Sequence, residues 1–410
     1  MVRSARSVPN HAGLLVLLAT VVLGAGCDVL GFGTAGPARP SFTVVSDSTF
    51  EVRVRVLGGH SGASFKAHTA PDSLTPVVKV KPPTVRGTRT QAGHLSYDAE
   101  TARLYVGYKL AGSIFGGGID ILNVQPGASP GNLVDGRRSL RSSNVDVVTL
   151  QAGAEEGTLY VAGAVTTKKR RLSPAVVSKI TASDSGLAAQ SKRLSHNVAK
   201  SVILGPAPNT IHVATDENAL FQFDPTLTDK SKLTVGSTSG FRSAAAHDSA
   251  VFVLDRSGRV FGTDASAFQD LSRVVRLTGS DFGTGGAVAR LHAHGDRLYA
   301  ALNEKGFALF SPTGEPVWTS DPVFIQARYT CVTVGSTYLY AGRFDGVIEV
   351  YRRPASISEA PELVGTFGPW GDDYGSRLSG APINHILVIE NHLYVAKSRD
   401  GMVVFRIDRG

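Results

Sequence analysis

Apolar residues in this chain fall in short runs separated by turn chemistry, and the last twenty residues display the unit. In residues 391–410 two apolar runs, 393–396 and 402–407, flank a polar turn at Asp400-Gly401. A hydrophobic run, an Asp-Gly turn and a second run of β-branched and aromatic residues predict a β-hairpin. The unit returns up the chain: Leu104-Tyr105-Val106 with Ile119-Asp120-Ile121, Leu298-Tyr299-Ala300-Ala301 with Phe307-Ala308-Leu309-Phe310, Leu339-Tyr340-Ala341 with Val347-Ile348-Glu349-Val350. Seven such hairpins start at residues 104, 159, 211, 251, 298, 339 and 393, spaced by 40 to 55 residues.

Each hairpin follows another strand-like run, such as 287–294 or 383–390, and most precede one, such as 274–277 or 363–367. Four strands per repeat of this length predict an all-β fold, a seven-bladed β-propeller of four-stranded antiparallel blades. No segment sustains a helical period. The seventh hairpin has no strand after it, and an unpaired edge beside an open seam is unfavourable. The last blade is therefore expected to be closed by a strand from the N-terminal side. Residues 77–81 are the preferred choice; residues 50–56, where Phe50, Val52, Val54 and Val56 alternate with polar residues, are the rival and read as a half-buried strand.

The first residues carry a different pattern. Arg3, Arg6 and His11 precede an apolar run at 14–23 that is too short to span a bilayer, as in a signal-peptide core. Gly24-Ala25-Gly26-Cys27 then resembles the lipobox of bacterial lipoproteins, although Gly24 stands where that motif usually has Leu. The resemblance implies cleavage before Cys27, acylation of its thiol and a lipid anchor at the cell envelope. The expected organisation is a signal peptide over 1–26, a Gly/Pro/Ser-rich tether with one extra strand over 27–75, and the propeller over 76–410.

Charge changes this picture little. The formal net charge of +8 falls to +6 without Arg3 and Arg6, and positive residues are dispersed except at Lys168-Lys169-Arg170-Arg171, so no nucleic-acid partner is expected. Cys331 is the one cysteine besides Cys27 and lies among strand formers, where a buried inert thiol is expected.

The hairpins resemble the LVIVD-type repeats of bacterial and archaeal cell-surface propellers. One unit, from Phe307 to Trp318 with Thr313-Gly314 at its turn, resembles a PQQ-type repeat, in which Trp packs between blades. Around a lipoprotein that second motif implies a propeller of the barrel-assembly type. The first resemblance implies a propeller at the cell surface rather than an activity, and the expected function is a non-catalytic binding scaffold partnered by the membrane anchor and an envelope protein or glycan. The alternative is a hydrolase or lyase acting on a glycan or lactone, since propellers host both.

Topology selects the face where a ligand is expected. Loops between second and third strands emerge with the loops joining one blade to the next, and these carry the unusual residues: Trp370, Asp372, Asp373, Tyr374 and Arg377, with Asp281 and Phe282. Aromatic and arginine side chains concentrated in loops suit a binding surface. Asp372-Asp373 lacks the spaced ladder of a calcium loop. His292 and His294 share one side of a strand and are expected to line the channel or pack rather than hold a metal. No catalytic residue, metal or cofactor motif is assigned.

Overall fold

The computed structural model describes residues 40–45, 50–57 and 73–408, apart from short stretches at 113–114, 167–173, 184–185, 195–197, 208, 237–239, 279–288, 321–326, 357–358 and 369–379. The chain is a seven-bladed β-propeller. The innermost strands of blades 1 to 7 are Gln91–Asp98, Val145–Ala152, Ala199–Leu204, Phe241–His247, Arg290–His294, Tyr329–Val334 and His385–Ile389. Each packs beside the next and the last beside the first, so the ring is closed.

The recurring apolar motif is the second strand of each blade. That strand is covered by neighbouring blades on both faces, so it reads as continuous hydrophobicity rather than alternation. In Arg103–Lys109, Leu104 and Val106 join a cluster shared with blade 7, while Tyr105 joins one shared with blade 2. In His392–Lys397, Leu393 and Val395 pack towards blade 6 and Tyr394 and Ala396 towards blade 1. A cluster of this kind fills every one of the seven blade interfaces. The PQQ-like unit follows the same logic, for Trp318 lies 5.1 Å from Phe307 in its own blade and 6.2 Å from Tyr351 in blade 6.

The N-terminal side closes the ring. Ser73–Val80 runs antiparallel to Gly401–Asp408 as the fourth strand of blade 7, with Leu74 opposite Ile407 and Val80 opposite Met402. It begins ahead of residue 77, and Pro76 is tolerated because the register shifts there, where no ladder donor is needed.

The stretch 50–56 departs from the alternating strand that its pattern predicts. Phe50–Arg53 is a single helical turn, and only Val54–Val56 is extended, pairing outside the closing strand. The helical turn puts residues three apart on one side. Phe50 thereby enters the cluster between blades 7 and 1, Arg53 reaches Asp120 in blade 1, and Val52 is left 80% exposed. Gly136 makes room, since a Cβ there would sit 2.0 Å from the Phe50 ring. Upstream, Thr43–Val45 adds a short strand to the outer edge of blade 1. The N-terminal stretch is thus woven along both blades that flank the seam.

Candidate functional site

The loop residues singled out from sequence, Trp370, Asp372, Asp373, Tyr374, Arg377, Asp281 and Phe282, lie outside the described residues, as do Cys27 and the basic run 168–171. What the described residues assemble is the central channel. Its lining comes from the innermost strands, several of which slip register by one residue near their starts, in blades 1, 2, 3, 4 and 6. A bulge of this type re-aims the extra side chain. In blades 3 and 4 the extra residues are Lys200 and Arg242.

These two meet Asp216 from the end of the blade 3 hairpin. Lys200 Nζ stands 3.4 Å from its carboxylate, Arg242 3.9 Å and Arg256 3.8 Å, so one carboxylate faces three cations. Lys109 and Asp146 form the adjoining pair from blades 1 and 2. Burial pushes the Asp146 carboxyl up to about 6, an effect that the Gly116 N–H at 3.0 Å and Lys109 oppose. Burial lowers Lys109 and Lys200 as well.

Arg290 crosses from blade 5. Its Nε donates to the Asn384 carbonyl and its Nη2 to the Gly93 carbonyl, both at 2.8 Å, tying blade 5 to blades 7 and 1. Burial brings this guanidinium down to about 10. Beside it the His94 and His385 rings stack at 4.2 Å, and His385 Nδ1 accepts the Leu95 N–H at 3.1 Å. His292 and His294 are also stacked, at 6.4 Å, and line the same strand as expected. Burial holds His94 and His385 well below their ordinary value and His292 at about 4, so these three imidazoles are neutral at pH 7.

This arrangement favours anions, because five cations (Lys109, Lys200, Arg242, Arg256 and Arg290) outnumber the two carboxylates of Asp146 and Asp216. His94, His385 and His292 titrate too low to exchange protons near neutrality, and Asp146, at about 6, is the channel group that can. Among the described residues no group of three or more His, Cys, Asp or Glu is placed to hold a metal ion. Cys331 is buried and its thiol is pushed up to about 11 by that burial, which makes it a packing residue. Arg343 is likewise structural: it donates to Glu349 at 2.8 Å, and Glu349 also accepts the hydroxyls of Tyr329 and Tyr351 at 2.6 Å each.

Sequence reading missed the channel cations because they are scattered over the chain and form no run. The available signal was positional: Lys200 and Arg242 both stand just inside the start of their blade's first strand.

With this geometry the class is defined by fold: a β-propeller with a cation-rich channel. No sequence-family model matches the chain and no curated protein matches it in sequence. Among solved structures, BamB from Moraxella catarrhalis matches at 13% identity with a TM-score of 0.50, over 89% of this chain and 97% of that one. Raptor from Chaetomium thermophilum matches at 12% identity with a TM-score of 0.55, over 78% of this chain; the chain spans only 28% of Raptor's length. At such identities the likeness is one of fold.

Proposed function

We propose that the chain is an envelope lipoprotein, anchored by acyl groups on Cys27, whose propeller is a non-catalytic scaffold that binds an envelope protein or glycan. The observation that carries this reading is the weaving of the N-terminal stretch into the seam. Phe50 and Arg53 plug the interface of blades 7 and 1, and Ser73–Val80 supplies the closing strand. A chain that enters its ring in this way transmits the pull of an N-terminal anchor to the whole fold, which suits a tethered platform. The loops carrying Trp370, Asp372, Asp373, Tyr374, Arg377, Asp281 and Phe282 are the proposed contact surface.

A barrel-assembly-type scaffold is the finer form of this proposal. The PQQ-like packing of Trp318 between blades and the fold-level likeness to BamB support it. The test is expression of wild type and Cys27→Ser in a bacterial host with lipoprotein processing. Wild type is expected in the membrane fraction with a shortened chain, and the variant is expected unprocessed. Unchanged processing and fractionation of the variant would overturn the anchor, and turnover of glycan or lactone substrates by the purified propeller would overturn the non-catalytic role.

A further inference from the structure

A second cation site lies away from the cations of the channel. Between blades 5 and 6, on the face formed by first-to-second-strand turns and third-to-fourth-strand loops, a cleft of about 520 Å³ is lined by Asp296, Arg297, Ser336, Thr337 and Arg353, with Arg352 at its rim. Arg352 is mostly exposed and is paired with Glu362 at 3.5 Å. The other two arginines are not compensated in that way.

Arg297 opens the second strand of blade 5 and is only 5% exposed. Its Nε and Nη1 make no hydrogen bond to the described residues. Among the described residues its ion-pair partner is Asp296, 3.5 Å away with a side chain 73% exposed, where water screens the attraction. Arg353 has no side-chain hydrogen bond or ion pair among the described residues; its charge acts instead on His294 and Tyr299 nearby. The contrast with other enclosed arginines is clear, since half-buried Arg53 is met by Asp120 and buried Arg343 by Glu349, each at 2.8 Å. A buried cation without such a partner is unfavourable unless something else supplies the charge.

We propose that this cleft binds a phosphate group, clamped by Arg297 and Arg353 and met by the hydroxyls of Ser336 and Thr337. A compact dianion matches two guanidinium groups that approach from different blades, and a tetrahedral phosphate offers oxygens to both forks and to the hydroxyls together. The phosphate could be a free ion or ester, or the headgroup of an anionic lipid. The inference is independent of the scaffold reading.

The test uses the propeller in chloride buffer at constant ionic strength, with inorganic phosphate as the probe and the unfolding temperature as the readout. Wild type is expected to rise saturably with phosphate. Arg353→Gln, at a partly exposed position, is expected to weaken the response at least about tenfold, the loss of one charge-assisted clamp. Arg297→Met is expected to abolish it while unfolding, without phosphate, no lower than wild type, because an uncompensated buried charge has gone. Arg89→Gln, which removes the same charge at an exposed position elsewhere, is expected to respond as wild type. The proposal is overturned by a wild type indifferent to phosphate, by an Arg89→Gln loss equal to that of Arg353→Gln, or by an Arg297→Met protein that keeps the response. Should Arg297→Met not fold, the Arg353→Gln and Arg89→Gln comparison decides alone. Sedimentation with phosphatidylcholine vesicles, with and without phosphatidic acid, separates the sources: Arg353-dependent capture assigns a lipid headgroup, and its absence beside a positive phosphate response assigns a soluble phosphate.

Discussion

Arg53 Nη1 donates to Asp120 Oδ2 at 2.8 Å, joining the N-terminal stretch to blade 1 across the seam of the ring. Asp120 is fully buried and also accepts from Ser139 Oγ at 2.6 Å and Arg141 at 3.3 Å. The Arg53→Met variant removes the strongest of these cations but leaves Arg141, so a loss of about 2–4 kcal/mol is expected, somewhat below that of a buried pair with one partner. Urea denaturation of the two proteins measures it. A loss below about 0.5 kcal/mol, the range of an exposed pair, would show that the clasp is incidental.

Gly401 binds the terminal hairpin to the closing strand. It has φ of +86°, and a Cβ on it would sit 2.1 Å from the Val80 carbonyl oxygen. Gly401→Ala is therefore expected to destabilise by about 1–3 kcal/mol through backbone strain and overlap. Hydrogen exchange should accelerate in Gly401–Asp408 and Ser73–Val80 before it does in a middle strand such as Ile211–Thr215. Uniform acceleration around the ring would contradict closure at this seam.

Acid should weaken the fold through the channel. His94, His385 and His292 have lowered values in the folded protein, so the unfolded chain binds more protons than the folded one below the ordinary histidine range. Their contribution is complete above about pH 6.5 and is lost progressively as pH falls below it, for His292 down through about 4. Asp146, raised to about 6, works the other way, adding stability as pH falls through that value. His294 and His392 are lowered too, so the histidines outweigh Asp146 and the urea midpoint is expected to fall from pH 7 to about pH 4.5, with a flatter profile for a His94→Gln/His385→Gln protein. An equal slope in both proteins would remove the histidines from the account.

Cys331 is expected to be inert in the native state. It is 1% exposed and its thiol is held up to about 11 by burial. A thiol-reactive reagent at neutral pH should label it at a rate that follows urea-induced opening. Rapid labelling of the native protein would place the thiol in an open setting.

The fold was legible because a propeller writes its repeat into the sequence. The second strand of each blade must be apolar on both sides, so Leu104-Tyr105-Val106 and its six counterparts stand out without an alignment. The missing fourth strand of blade 7 was legible for the same reason, and Ser73–Val80 fills it. The turn at Phe50–Arg53 was not legible, because Phe50, Val52, Val54 and Val56 alternate as a strand does; what decides it is a tertiary pair, Arg53 with Asp120, that no local pattern encodes. The cleft arginines were hidden in another way. Arg297 begins an otherwise apolar strand and Arg353 follows the end of Ile348–Arg352, so each reads as an ordinary solvated end until the blades are set side by side.

The central claim, a tethered propeller that binds rather than transforms its partner, meets its most direct test in native mass spectrometry of the protein solubilised from its own membranes. The account predicts a chain that begins at Cys27, carries acyl mass on that residue and travels with at least one further envelope component. A bare chain that begins elsewhere, with neither lipid nor companion, would contradict it.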